Sequence, residues 1–320
     1  MKVLFLGAGA SLAADYPPAS KLLDELKSEA RRSPSTDLRE DWETYEGFVA
    51  RTSGVVKRAL QNPNPELIFS VLDLLVAARE SEHQDWWSLL KLHDQPVEEE
   101  VLLRLRNPPW ENEPEEFEHV EGVRRALLRG LDHFFWWRHV QDWLPEGASR
   151  RAYLCRELEC LQPGDVIVTT NWDSLAERVL FDEGLWTPAD GYGFKVLLET
   201  IPAWRETSRV IQGASAIHVL KLHGSFGWYM GGNDRLYLSR ARFLQHLPLR
   251  QGKQEVAYKD SLEPNLPSVS DQPAVVYPTY LKRLEYPQIQ RIWSRAVEAV
   301  CRADDFHAIG YSLPPSDTAI

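Results

Sequence analysis

The sequence predicts an α/β fold: a parallel sheet covered by helices, with a helical lobe inserted between the first and second strands. Three observations predict it. Short, mainly apolar runs at residues 3–6, 165–170, 217–222, 274–277 and 306–309 have the length and character of strands buried on both faces. Each run ends in a polar or glycine-containing turn, so the reactive side chains gather where the strands end. From about residue 31 to about residue 160 the spacing is helical and no strand pattern occurs.

The elements follow in order. The run Val3-Leu4-Phe5-Leu6 meets the turn Gly7-Ala8-Gly9-Ala10-Ser11, a buried strand followed by a tight glycine turn. A helix is expected from about Ala19 to Arg31, with Leu22, Leu23 and Leu26 on one face. Leu67, Ile68, Val71, Leu72 and Leu75 repeat that spacing, and so do Leu127, Leu131, Phe134, Phe135 and Val140. Proline-rich breaks stand at residues 62–65 and 107–110. The pairs Trp86-Trp87 and Trp136-Trp137 read as core or interface aromatics of the helical lobe. Strand character returns after the Pro163-Gly164 turn, and residues 251–272, polar and proline-containing, read as a loop.

Composition excludes several classes. The 320 residues are 43% hydrophobic and 26% charged, an ordinary globular balance. A net charge of −11 repels a phosphate backbone, so nucleic acid is not expected as a direct partner. A small anionic ligand stays compatible with it. Cys155, Cys160 and Cys301 form no CxxC pair, which points to reduced thiols, no structural zinc and no metal. No apolar run approaches the roughly 20 residues that span a bilayer, and the N-terminal run is too short for a signal peptide. The expected location is the cytoplasm.

The strand ends carry the chemistry. Gly7 and Gly9 let the backbone turn sharply and let a pyrophosphate come close, while Ser11 can cap the next helix or bond a phosphate oxygen. Two glycines at such a junction also serve packing alone. A dehydrogenase fingerprint needs a third glycine where Leu12 stands and a ribose-holding acid after a prompt second strand, so hydride transfer is disfavoured. In Thr169-Thr170-Asn171-Trp172-Asp173, Asn171 offers an amide donor and an acceptor for ribose hydroxyls or a water. Asp173 has two readings of equal weight: accepting from a carboxamide, or capping the helix that carries Leu175, Ala176 and Val179. His223 follows a strand and precedes a glycine, and an imidazole exchanges protons near neutral pH. His218 lies five positions earlier and on one strand would face the other way, which argues against a two-histidine metal clamp. Gly310 and Ser312 close the last strand with a glycine and a hydroxyl suited to phosphate or ribose.

Taken in order, GAGAS, TTNWD, KLHGSFGW and GYSLPPSD resemble the motifs of the SIR2 family. Its members show a GAGxS turn, a QNxD loop, an HG motif with the catalytic histidine, and a GxSL turn on the NAD. The variants here are most similar to the SIR2-like domains of bacterial antiphage defence proteins. The resemblance covers roughly residues 1–30, 160–180 and 215–320. It implies one SIR2-like domain over residues 1–320, with a Rossmann-like core of the SIR2, DHS-like NAD-binding type in those segments. Residues 31–159 and 181–214 are then helical insertions. A SIR2 fold continues with another strand and helix beyond the GxSL turn, and the resemblance implies that these are missing at Ile320.

By the same resemblance Asn171 and His223 are the catalytic pair. Gly7, Ala8, Gly9, Ser11, Gly310 and Ser312 line the NAD+, and Thr170, Asp173 and Ser225 stand near the nicotinamide ribose. The implied activity is NAD+ hydrolysis at the nicotinamide–ribose bond, with NAD+ as substrate, in an antiphage effector that depletes NAD. A homo-oligomer or a partner defence protein is compatible with this, and no membrane partner is expected. The alternatives are a sirtuin-type protein deacylase and a non-catalytic sensor of NAD or ADP-ribose. Deacylating sirtuins carry two CxxC pairs and a GIPxFR segment. This chain has neither, reading Ala14-Asp15-Tyr16-Pro17-Pro18-Ala19-Ser20 in the second place, so deacylation is disfavoured more than NAD binding.

Overall fold

A computed structural model describes residues 1–32, 36–52, 54–62, 65–80, 114–143, 148–187, 190–194, 215–231, 236–238, 269–276 and 286–311. They fall into two compact units. The first gathers Met1–Pro18, Phe134–Val276 and Arg283–Ser312, and the second is built on Ala19–His133. The units part at Ala19 and Phe134, whereas the sequence reading bounds the helical insertion at 31 and 159.

The first unit holds a four-stranded parallel sheet. Its strands are β1 (Lys2–Leu6), β2 (Val166–Thr169), β3 (His218–Lys221) and β7 (Asp305–Ile309), in the order β3-β2-β1-β7. Leu6 pairs with Thr169 and Ile309, and Thr169 pairs with Lys221, so the four strands end level. Val3, Leu4, Ile167, Val168, Val219 and Leu220 are buried, as expected of strands covered on both faces. Asp165 fixes the start of β2: its carboxylate accepts from the amides of Lys2 (2.7 Å) and Gln162 (2.8 Å).

Three expectations change. The apolar residues Ala274 and Val275 do not join the parallel sheet. They end β6 (Val269–Val275), which pairs antiparallel with β4 (Gly224–Gly231), itself paired with β5 (Leu236–Leu238). An apolar run reports burial, which Ala274 and Val275 do show, but it does not select the strand it pairs with. The expected loop at 251–272 is therefore strand from Val269; residues 251–268 lie outside the described residues. Second, β7 is an edge strand whose residues are mostly exposed, with Phe306 at 50%. Third, within the expected helical insertion at 181–214, residues 181–182 are helical, while 183–187 and 190–194 are turns, bends and irregular chain, where Gly184 and Gly193 have φ of 72° and 77°. Residues 195–214 lie outside the described residues, as do Trp86, Trp87 and the break at 107–110.

The second unit is helical. In it α1 (Ala19–Arg32) buries Leu22, Leu23, Leu26 and Ala30, the 3.6-residue stripe read from the sequence. Then come α2 (Thr36–Arg51), α3 (Gly54–Leu60) and α4 (Pro65–Glu80), which starts at the second proline of the predicted break. The helix α5 (Pro114–Trp143) begins here, burying Val123, Ala126, Leu127 and Leu131, and its last turns from Phe134 belong to the first unit. The first unit adds α6 (Ala148–Leu158), α7 (Leu175–Asp182) and α8 (Pro287–Arg302). No described helix is long and apolar enough to cross a membrane.

Candidate functional site at the strand ends

Beyond the level ends of the sheet, three segments meet. The glycine turn opens into a seven-residue 3-10 helix, Ala8–Ala14. The amide of Gly7 donates to the Ile309 carbonyl (2.9 Å), that of Gly9 to the Gly310 carbonyl (2.8 Å), and that of Ala10 to the Gly7 carbonyl (2.9 Å). These three amides are thus engaged by protein acceptors, and Ala8 is the exposed residue at the head of the turn. The glycines serve packing first. A Cβ on Gly7 would lie 2.6 Å from the Gly310 oxygen, and one on Gly9 2.7 Å from the Gly310 Cα.

Gly310 is the tightest point. Its φ is +65°, and an added Cβ would stand 2.1 Å from the Ala10 nitrogen. The left-handed backbone alone costs an L-residue about 1–2 kcal/mol, and the contact forces the two turns apart. Gly310→Ala is expected to lower the melting temperature by about 5 °C or more, read by circular dichroism. An unchanged melt would show that the two turns can separate freely. Ser312, the other site residue expected here, lies outside the described residues.

The loop after β2 is tied from both sides. The Thr170 amide donates to the Leu6 carbonyl (3.3 Å), and the Asn171 amide to the Thr169 hydroxyl (3.0 Å). The Asn171 side-chain nitrogen donates to the Gly7 carbonyl (2.9 Å) and to Ser11 Oγ (3.1 Å). A carbonyl can only accept, so this contact fixes which amide atom is nitrogen. Asn171 Oδ1 is left as a buried acceptor with no hydrogen bond among the described residues. Ser11 sits within the 3-10 helix and caps nothing; its hydroxyl donates to Asp173 Oδ2 (2.7 Å). Asp173 stands one residue before the N-cap Ser174, and its Oδ1 accepts from the amide of Leu175, the first residue of α7 (3.1 Å).

His223 lies at the same level. Lys221 pairs with Thr169, so His223 and Asn171 each stand two residues past a paired position on adjacent strands. His223 is 5% exposed, and its main-chain carbonyl accepts from the Val276 amide (2.8 Å). Gly224 follows with φ +71°, and a Cβ there would lie 2.1 Å from the Ala274 oxygen, so glycine is required where β4 starts. Ser225 is fully buried, and its hydroxyl donates to the Trp172 carbonyl (3.0 Å). The resemblance places it near a ribose. Here it braces the Asn171 loop from the β4 side.

Two features of the site were not read from the sequence. One is an aromatic cluster: the Phe135 and Phe226 rings stack at 4.7 Å, and Trp172 meets both edge-on at 6.0 and 5.3 Å. The other is a buried ion pair, Lys221 Nζ to Glu177 Oε1 at 3.0 Å, with side chains 0% and 1% exposed. Burial pushes the Glu177 carboxyl above its ordinary value, against the pull of the Lys221 ammonium. His218 is half-buried, and that burial lowers its pKa. Among the described residues no cluster of His, Cys, Asp or Glu is arranged to hold a metal.

Residues 165–317 match the family described as SIR2-like domain. The matched span contains Asn171, Asp173, His223, Ser225 and Gly310, and the glycine turn outside it is hydrogen-bonded to it through Gly7, Gly9 and Ser11. No curated protein matches the chain.

Proposed function

From the match of residues 165–317 to the SIR2-like domain family, we propose that the chain hydrolyses NAD+ at the nicotinamide–ribose bond. The family includes NAD-using enzymes, and its domains bind NAD+. The observation that carries the narrower reading is the Asn171 amide. Its nitrogen is spent on Gly7 and Ser11, while its oxygen is a buried acceptor with a hydrogen bond still to make. An acceptor of this kind suits a ribose hydroxyl or the attacking water.

The reaction needs little covalent help from the protein. The C–N bond to nicotinamide breaks with its electron pair going to the pyridinium nitrogen, which leaves a cationic, oxocarbenium-like ribose. Water adds to that carbon and loses a proton, giving ADP-ribose, nicotinamide and H+. Asn171 Oδ1 orients the water or a ribose hydroxyl, and His223, level with it on the next strand, takes the proton. In this reading Ala8, the exposed residue of the first turn, and Gly310, whose carbonyl accepts from the Gly9 amide, face the pyrophosphate. The aromatic faces of Phe135, Phe226 and Trp172 offer the apolar wall that a departing nicotinamide requires. By the resemblance of its motifs, the wider role is NAD depletion in antiphage defence.

Incubating the full-length protein with NAD+ and resolving the products tests this. Equal amounts of nicotinamide and ADP-ribose without any peptide are expected. Turnover that depends on an acyl-lysine peptide would make the protein a deacylase, and binding without turnover would make it a sensor.

A further inference from the structure

Lys221, the last residue of β3, is a charged residue with no exposed surface, two positions before His223. Among the described residues its ammonium has two partners. One is the Glu177 carboxylate on the first turn of α7, which also accepts from the Tyr192 hydroxyl at 3.4 Å. The other is the main-chain carbonyl of Asp173.

Stability alone does not explain such a pair. Removing two charges from water costs several kcal/mol each, and well-packed apolar residues in their place are often neutral or better. What an apolar pair could not do is hold the Asp173 carbonyl. That carbonyl belongs to residues 170–174, which form no helix or strand and carry Asn171. The β1 side holds this loop through Asn171 and Ser11; the β3 and β4 side holds it through Lys221 at Asp173 and Ser225 at Trp172.

We propose that Lys221 is a positioning residue: its buried ammonium, braced by Glu177, fixes the Asp173 carbonyl and so sets the Asn171 loop in register with His223. Its catalytic consequence rests on the hydrolase reading above; its effect on the loop does not.

The test variant is Lys221→Met/Glu177→Leu in the full chain, which removes both charges and leaves neither unpaired. Amide hydrogen exchange over residues 170–175 is expected to accelerate about tenfold or more while β1 and β2 stay protected. For nicotinamide release, kcat is expected to fall by about 10²-fold with KM changed far less, because the loop is misplaced rather than lost. Parental exchange over 170–175 in the folded double variant would overturn the proposal, whatever the activity. Accelerated exchange with parental kcat would also overturn it, since the loop's position would then not matter to the reaction. If the parent itself releases no nicotinamide, the hydrolase reading fails and the exchange data alone decide. If the double variant does not fold, Glu177→Gln takes its place. It keeps the shape and loosens the hold on the ammonium, so faster loop exchange is expected, and unchanged exchange would refute the idea.

Discussion

Nicotinamide release by the His223→Gln variant is expected to fall by about 10²–10⁴ from the parent rate. Glutamine roughly fills the imidazole's space and keeps a donor and an acceptor, so the buried end of β3 retains its packing. It cannot exchange a proton near neutral pH, and that is the property the reaction needs. The choice of residue matters because His223 is only 5% exposed. Alanine would open a cavity there and confuse lost chemistry with lost stability. The check is a pair of measurements: nicotinamide release, and a circular dichroism melt expected to stay within a few degrees of the parent's. Full activity in a folded His223→Gln protein would remove the general base from the mechanism.

Asn171→Ala is expected to lose about 10²–10³ in kcat, comparable with deleting one preorganised hydrogen-bonding group from other active sites. Unlike the histidine variant it also carries a stability cost. Two side-chain hydrogen bonds go, to Gly7 and to Ser11, each worth about 1 kcal/mol. A comparison separates the two roles. Ser11→Ala removes one of those bonds and the contact to Asp173 but leaves the Asn171 oxygen in place. Its kcat is expected to stay within about tenfold of the parent, since it loosens the loop without deleting the acceptor. Equal losses in the two variants would mean that Asn171 acts only as a tie between turns.

Much of this site could be read from residue order. Parallel strands buried on both faces show as short apolar runs, so β1, β2 and β3 stood out, and the motifs that matter begin where those runs stop. What stayed hidden has physical reasons. The segment Gly224–Gly231 has three glycines and no alternation, so β4 carries no period-two signal. Apolarity at 274–276 said that the segment is buried, but strand partners are chosen by tertiary context. Nothing in the sequence marks Lys221 as paired, and only the fold brings Glu177 to it. Phe226 and Trp172 sit inside the recognised motifs, yet they gain meaning as a cluster only once Phe135 arrives from α5. The glycines were read toward a phosphate, whereas their immediate need is one another.

The place of β1 in the sheet has a consequence for how the protein is made. β1 is residues 2–6, and both of its neighbours are distant, at residues 166–169 and 305–309. On the ribosome, the apolar segment Lys2–Leu6 emerges well before either strand it must pair with. At about 5–20 residues per second, the wait for β2 alone is on the order of ten seconds or more. During that time an unpaired hydrophobic strand is open to pairing with other chains. Pairing between strands so remote in sequence forms slowly even at good stability. Recovery of soluble protein should therefore depend on synthesis rate and chaperone supply more than on melting temperature.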